Sequence, residues 1–192
     1  PPVSDVTARL GIVAMFKNAI QSPWALFGGL AIFLYVGAEV AIGTQMAFFL
    51  NTDSIWGQSD AAFGFAIFSK FSDGIPGVSL QEAAAITALY WGGAMVGRLI
   101  GTFLLAFVNA ALLLVVCTAA ATLMCLYVFS VGGVAAGFIA LGIGLFNSIM
   151  FPVIFTLTLE RSTASQEATS GFLCTAIIGG AFLPLLVGAV SE

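Results

Sequence analysis

The run from Gly28 to Leu50 is apolar almost throughout and carries one carboxylate, Glu39, near its middle. About 20 apolar residues let a helix cross the roughly 30 Å of hydrocarbon in a bilayer. A helix also satisfies its own backbone hydrogen bonds where no water can. The stretch therefore reads as a membrane span. An ionisable group at that depth is costly unless it faces a cavity or a partner, which makes Glu39 the first functional candidate. The competing reading is a protonated structural carboxyl hydrogen-bonded to a neighbouring helix.

The rest of the chain follows the same pattern. Of its 192 residues, 60% are hydrophobic and 7% are charged, where a soluble domain carries about 25% charged residues. The expected fold is all-α and polytopic, with about five transmembrane helices. A net charge of -4, with no basic run and no phosphate-binding loop, speaks against nucleic acid. Cys117, Cys125 and Cys174 fall inside apolar runs without CxxC spacing, and the chain has no His. Neither a metal site nor a disulfide is expected, and no cofactor is implied. A membrane enzyme would need a nucleophile and base or metal ligands, and no span holds an acid pair.

Taken in order, residues 1–23 read as a cytoplasmic linker with a short surface helix marked by Leu10, Val13, Ala14 and Lys17. Pro23 and Trp24 mark the entry to residues 24–190, whose spans are expected at about 24–50, 82–106, 109–129, 134–159 and 168–190. Residues 51–80 form the one long connection, in which the apolar run Ala61 to Phe68 suggests an interfacial helix. Pro152 should kink the fourth span, and Gly179, Gly180 and Pro184 lie within the fifth. The Pro1-Pro2 start and the end at Ser191-Glu192 read as cuts in a longer protein. Arg9, Lys17, Arg98 and Arg161 fall on one side and Lys70 alone on the other, which puts the 51–80 connection outside.

Several residues stand out for chemistry. Tyr35 lies one turn before Glu39 on the same helix face, and Gln45 follows in the same polar-dotted span. Asn147 is about as deep as Glu39, and its amide suits either a polyhydroxylated ligand or an interhelical hydrogen bond. Tyr90 and Trp91 offer a flat platform for a sugar ring, or interfacial anchors. Arg98 sits in Gly93-x-x-x-Gly97-Arg98-x-x-Gly101, whose glycines suit close helix packing. With Glu160 on the same side, it suggests a cytoplasmic gate. A snorkelling Arg98 is the plainer alternative.

Several segments together resemble a known family: Ile32-Phe-Leu-Tyr-Val-Gly-Ala-Glu39-Val-Ala-Ile-Gly43, Tyr90-Trp-Gly-Gly-Ala-Met-Val-Gly-Arg98-Leu-Ile-Gly101, Phe146-Asn-Ser-Ile-Met-Phe-Pro152, Ala176-Ile-Ile-Gly-Gly180 and Pro184-Leu-Leu-Val-Gly188. Over roughly 28–190 they look like the second half of a fucose permease or glucose/galactose transporter of the major facilitator superfamily. The resemblance implies twelve helices in two six-helix halves, of which these five would be helices 7–11. It implies monosaccharide uptake with the proton as coupling ion, by alternating access between this half and an N-terminal half absent from the sequence. It also implies a bacterial inner (plasma) membrane location. Carboxylates linked to proton movement in such transporters usually lie in that absent half. Readings left beside it are a facilitator for another small neutral solute or drug, and a non-transporting membrane scaffold.

Overall fold

The computed structural model describes residues 11–64 and 68–191. Eight α-helices run through the described residues: α1 Ile12–Ile20, α2 Pro23–Asn51, α3 Leu80–Leu104, α4 Ala110–Val131, α5 Gly133–Asn147, α6 Met150–Arg161, α7 Gln166–Ala176 and α8 Gly179–Ser191. Taking α5 with α6 and α7 with α8, five stretches are long and apolar enough to cross a membrane. Arg9 and the start of the expected surface helix lie outside the described residues.

The helix starts are written in the local sequence. Ser22 accepts from the Ala25 N–H, with Pro23 in the first turn, where its missing N–H costs nothing. Ser79 and Glu82 form a reciprocal capping box at α3. Asn109 Oδ1 takes the Ala111 N–H at 2.9 Å to start α4. Gly132 and Gly133 turn the chain from α4 into α5 at φ 64° and 72°, a region that side chains avoid.

Span four is broken at Ser148–Ile149, four residues ahead of the proline that causes it. Pro152 has no N–H to offer the Ser148 carbonyl, so α5 ends at Asn147 and α6 restarts at Met150. Ser148, itself fully buried, turns its Oγ back to Leu145 O at 3.2 Å. Span five breaks at Ile177–Ile178, next to Gly179, which packs on the Phe33 carbonyl of α2. Pro184 lies within α8.

The 51–80 connection folds back onto the bundle. It contains a π-turn at Asp53–Gly57 and 3-10 turns at Asp60–Gly64 and Ser69–Phe71. The middle of the expected 61–68 interfacial helix lies outside the described residues. Trp56 is fully buried. Its Nε1 donates to Val134 O at 2.9 Å, and its ring meets Phe138 and Phe68 at 4.9 and 6.0 Å. Asn51 Nδ2 ties the end of α2 to Val78 O at 2.8 Å. Glu82 accepts from the Asp73 and Ser79 N–H groups, each at 2.7 Å.

Lipid is as apolar as leucine, so close packing and interhelical hydrogen bonds must hold such a bundle. Two buried clusters result. One joins Met46, Leu50, Trp56, Ile86, Tyr90 and Ile143; the other joins Ile32, Tyr35, Leu113, Ile149, Val153 and Leu173. Tyr35 and Tyr90, one from each cluster, face the same residue, Asn147.

Candidate functional site

Asn147 is the last residue of α5, and the break after it leaves its polar groups for neighbouring helices. Tyr35 Oη of α2 donates to its carbonyl at 2.7 Å. Its side-chain Nδ2 donates to Tyr90 Oη of α3 at 3.3 Å. Tyr90 Oη in turn donates to the Glu39 backbone carbonyl of α2 at 3.2 Å. The ring of contacts closes across three helices. Asn147 and Tyr35 are buried, and Tyr90 is wholly enclosed.

Glu39 is half-buried at the edge of this network. Tyr35, one turn earlier, stands on the same face of α2. The Arg98 charge acts on both Glu39 and Tyr35. Arg98 is exposed and belongs to the flank of α3 that bears Trp91, seven residues or about two turns earlier. The Trp91 indole packs on Gly43 of α2, where glycine leaves room for it, and stands edge-on to Tyr90 at 5.2 Å. At 45% exposure, its ring stands partly open over Gly43, one helical turn from Glu39.

The structure thus brings Tyr35, Glu39, Asn147, Trp91 and Arg98 to one region. It puts Gln45 elsewhere. Six residues past Glu39, Gln45 turns to another flank of α2. There it lines a cleft of about 720 Å³ together with Ala41, Ile42, Phe49, Cys125 and Phe129. Nor does it bring the suggested gate together. Arg98 and Glu160 are both exposed, and no ion pair joins them. Arg98 stands on α3 and Glu160 on α6, helices that are not packed neighbours. The charge near Arg98 is Glu39 instead. Arg161, next to Glu160, lies over the Trp24 ring, 4.9 Å from its centre.

Tyr90 is corrected as well. It is no platform for a ligand, because no part of it is exposed; it is the hydroxyl that joins Asn147 to α2. Ser148 escaped notice in the sequence, and the proline four residues later was its one signal. Among the described residues no group of three or more His, Cys, Asp or Glu side chains is placed to hold a metal. The three cysteines are free thiols.

No protein-family model matches the chain. It is 35% identical over 175 residues to the glucose/galactose transporter of Brucella abortus biovar 1 (strain 9-941), a match covering 91% of this chain and 38% of that protein. It is likewise 35% identical over 193 residues to the putative glucose/galactose transporter of Helicobacter pylori (strain ATCC 700392 / 26695), covering 98% of this chain and 41% of that one. Its structure superposes on the Escherichia coli fucose:proton symporter FucP with a TM-score of 0.74 at 23% identity, over 94% of this chain and 39% of that one. A second structure, the major facilitator superfamily transporter FucP in its outward conformation, gives 0.65 at 26% identity, over 96% and 37%. The chain therefore spans about two-fifths of the relatives it matches and has the major facilitator fold. These relatives are transporters and not enzymes.

Proposed function

We propose that this chain, with its major facilitator fold, forms the C-terminal helical half of a monosaccharide transporter that takes up a sugar of the glucose, galactose or fucose class with protons. The observation that carries this reading is the likeness to named glucose/galactose transporters along nearly the whole chain. The site supports it chemically. A half-buried carboxylate, an exposed indole and an arginine stand together beside a fixed tyrosine–asparagine network. Carboxylate and guanidinium bind sugar hydroxyls through charge-assisted hydrogen bonds, and an indole face covers a sugar ring's C–H surface. The sugar would lie between this bundle and an N-terminal half, each rocking against the other. The coupling ion would be the proton, and the setting a bacterial inner membrane.

The test is uptake by the full-length transporter in proteoliposomes under an imposed proton gradient. Labelled glucose, galactose and fucose are supplied in turn. One or more should accumulate, and a protonophore should abolish the accumulation. Failure of all three to accumulate or exchange, in protein that is folded and inserted, would sink the reading.

A further inference from the structure

Arg161 is the last residue of α6 and is exposed. Its guanidinium lies over the Trp24 ring, 4.9 Å from the centre. Trp24 is the second residue of α2, so the pair marks one end of the bundle, at the headgroup level that indole rings favour. The cation bias puts this end on the inner side. Stacking holds the planar guanidinium by one face and leaves its N–H edges open to other partners. Among the described residues no carboxylate pairs with it, and no side chain or carbonyl takes its N–H groups.

Arg161 also closes the end of a groove of about 320 Å³ between α2, α4 and α6. Phe27 and Ala31 line it from α2, Leu114 from α4 and Leu157 from α6. Its floor is the close contact of Gly28 with Thr158, whose hydroxyl is taken by the Ile154 carbonyl at 2.7 Å. Arg161 is the one charged residue in its lining, and the neighbouring Glu160 has no part in it. From Trp24 to Ala31 the groove follows α2 for about 10 Å. Phe27 is 69% exposed, so among the described residues the groove opens sideways toward hydrocarbon. The larger cleft beside Gln45 has no charged residue in its lining, and nothing there selects an occupant.

We propose that the groove between α2, α4 and α6 holds an anionic phospholipid of the inner leaflet. Its phosphate takes the Arg161 N–H groups, and one acyl chain lies along α2 past Phe27 and Ala31. The distribution of charge selects this occupant. A cation stands at headgroup depth, and apolar side chains follow toward the middle of the bilayer, the order in which a phospholipid presents its own groups. Guanidinium and phosphate form charge-assisted and often bidentate hydrogen bonds. A zwitterionic lipid brings a cation of its own against Arg161 and is held less strongly. Lys17, exposed on α1, adds positive charge on the same side and so favours anionic lipid there. The lipid joins the start of α2 to the end of α6, where Ser22 already binds Ser162 and Thr163. No sugar is involved, so this site stands or falls apart from the transport reading.

The test is native mass spectrometry of the full-length protein, delipidated in detergent and titrated with phosphatidylglycerol or phosphatidylcholine of matched chains. Wild type should bind its first phosphatidylglycerol roughly fivefold more tightly than phosphatidylcholine, as expected of one cation at an anionic headgroup. Arg161→Gln should weaken phosphatidylglycerol about tenfold, the loss of a charge-assisted hydrogen bond, and leave phosphatidylcholine unchanged. Arg161→Lys keeps the charge without the fork and should fall between the two. Ala31→Phe, which fills the groove at constant charge, should weaken phosphatidylglycerol as well. Lys70→Gln, which removes a cation from the 51–80 connection, should match wild type. No preference in wild type, an unchanged preference in Arg161→Gln, or an equal loss in Lys70→Gln overturns the proposal. So does full affinity in a folded Ala31→Phe, which would mean that the headgroup is held by surface charge alone or that another segment of the full-length chain fills the groove. Thermal melting of each delipidated variant shows that it is folded, and the two Arg161 variants decide the matter if Ala31→Phe is not.

Discussion

Gly97 of α3 has the Leu145 carbonyl of α5 where its own side chain would begin, with Ser148 Oγ 2.6 Å from the same point. No side chain fits there without moving backbone. Gly92, on the same helix, has nothing within 4 Å of that position. Gly97→Val should therefore destabilise the full-length protein by about 1–3 kcal/mol, the usual cost of overpacking. Gly92→Ala should be close to neutral. Thermal unfolding in detergent compares the two, and equal melting points would show that the α3–α5 contact is looser than described.

Glu39 offers a graded test. Glu39→Gln keeps the shape and loses the charge, and Glu39→Ala also opens a void. Proton-driven sugar uptake by the full-length transporter should fall in the order wild type, Gln, Ala. Counterflow, which needs no net proton movement, should survive in the Gln variant, because that variant mimics the protonated acid. Wild-type uptake in the Ala variant at normal expression would reduce Glu39 to a structural residue.

Arg98 and Glu160 should part company. Arg98 acts on Glu39 and Tyr35, whereas Glu160 is an exposed residue near the end of α6. Arg98→Ala should lower uptake at least tenfold, corresponding to about 1.4 kcal/mol, and Glu160→Ala should leave it within about twofold, as isolated surface changes do. If Glu160→Ala costs as much as Arg98→Ala, the two residues act as a pair in another conformation.

Sidedness is a matter of labelling. Gln58 and Thr163 are both exposed, one in the 51–80 connection and one in the turn between α6 and α7. In a cysteine-free full-length protein, Gln58→Cys should react with a membrane-impermeant maleimide on intact cells. Thr163→Cys should react only after permeabilisation. The motive is the bias of cations toward the Thr163 end. Reaction of both from outside would mean that the number of crossings between them is even.

Ser22 is fully buried. Its Oγ accepts from the Thr163 N–H and from Ser162 Oγ, each at 3.1 Å. Ser22→Ala strands these donors, so a loss of about 1–3 kcal/mol is expected. Ser22→Thr keeps the hydroxyl and should recover part of it. Melting of the Ala variant at the wild-type temperature would show that water replaces the lost bonds.

Much of the bundle was legible because its signals are local. Apolar length marked the spans, and Gly93 and Gly97 stood in the packing motif that the α3–α5 contact uses. Tyr35 and Glu39 could be placed on one face by spacing alone. What escaped was lateral. A sequence gives the depth of Arg98 but not which helix stands beside it, so Glu160 at a matching end looked as good a partner as Glu39. The break at Ser148 was displaced because a proline disturbs the carbonyl four residues earlier, not its own position. Gln45 shares a span with Glu39, yet the turn of the helix sends it to a different cleft.

The short helix α1 is fastened to the other end of the chain. Asn18 Oδ1 accepts from the Ser165 N–H at 3.0 Å, and Phe16 meets the Phe172 ring edge-on at 5.9 Å. With Ser22 bound to Thr163, α1 and its junction with α2 are tied to the 162–165 turn and to α7. A pull on the polypeptide ahead of α1 is therefore delivered to α6 and α7 as well as to α2.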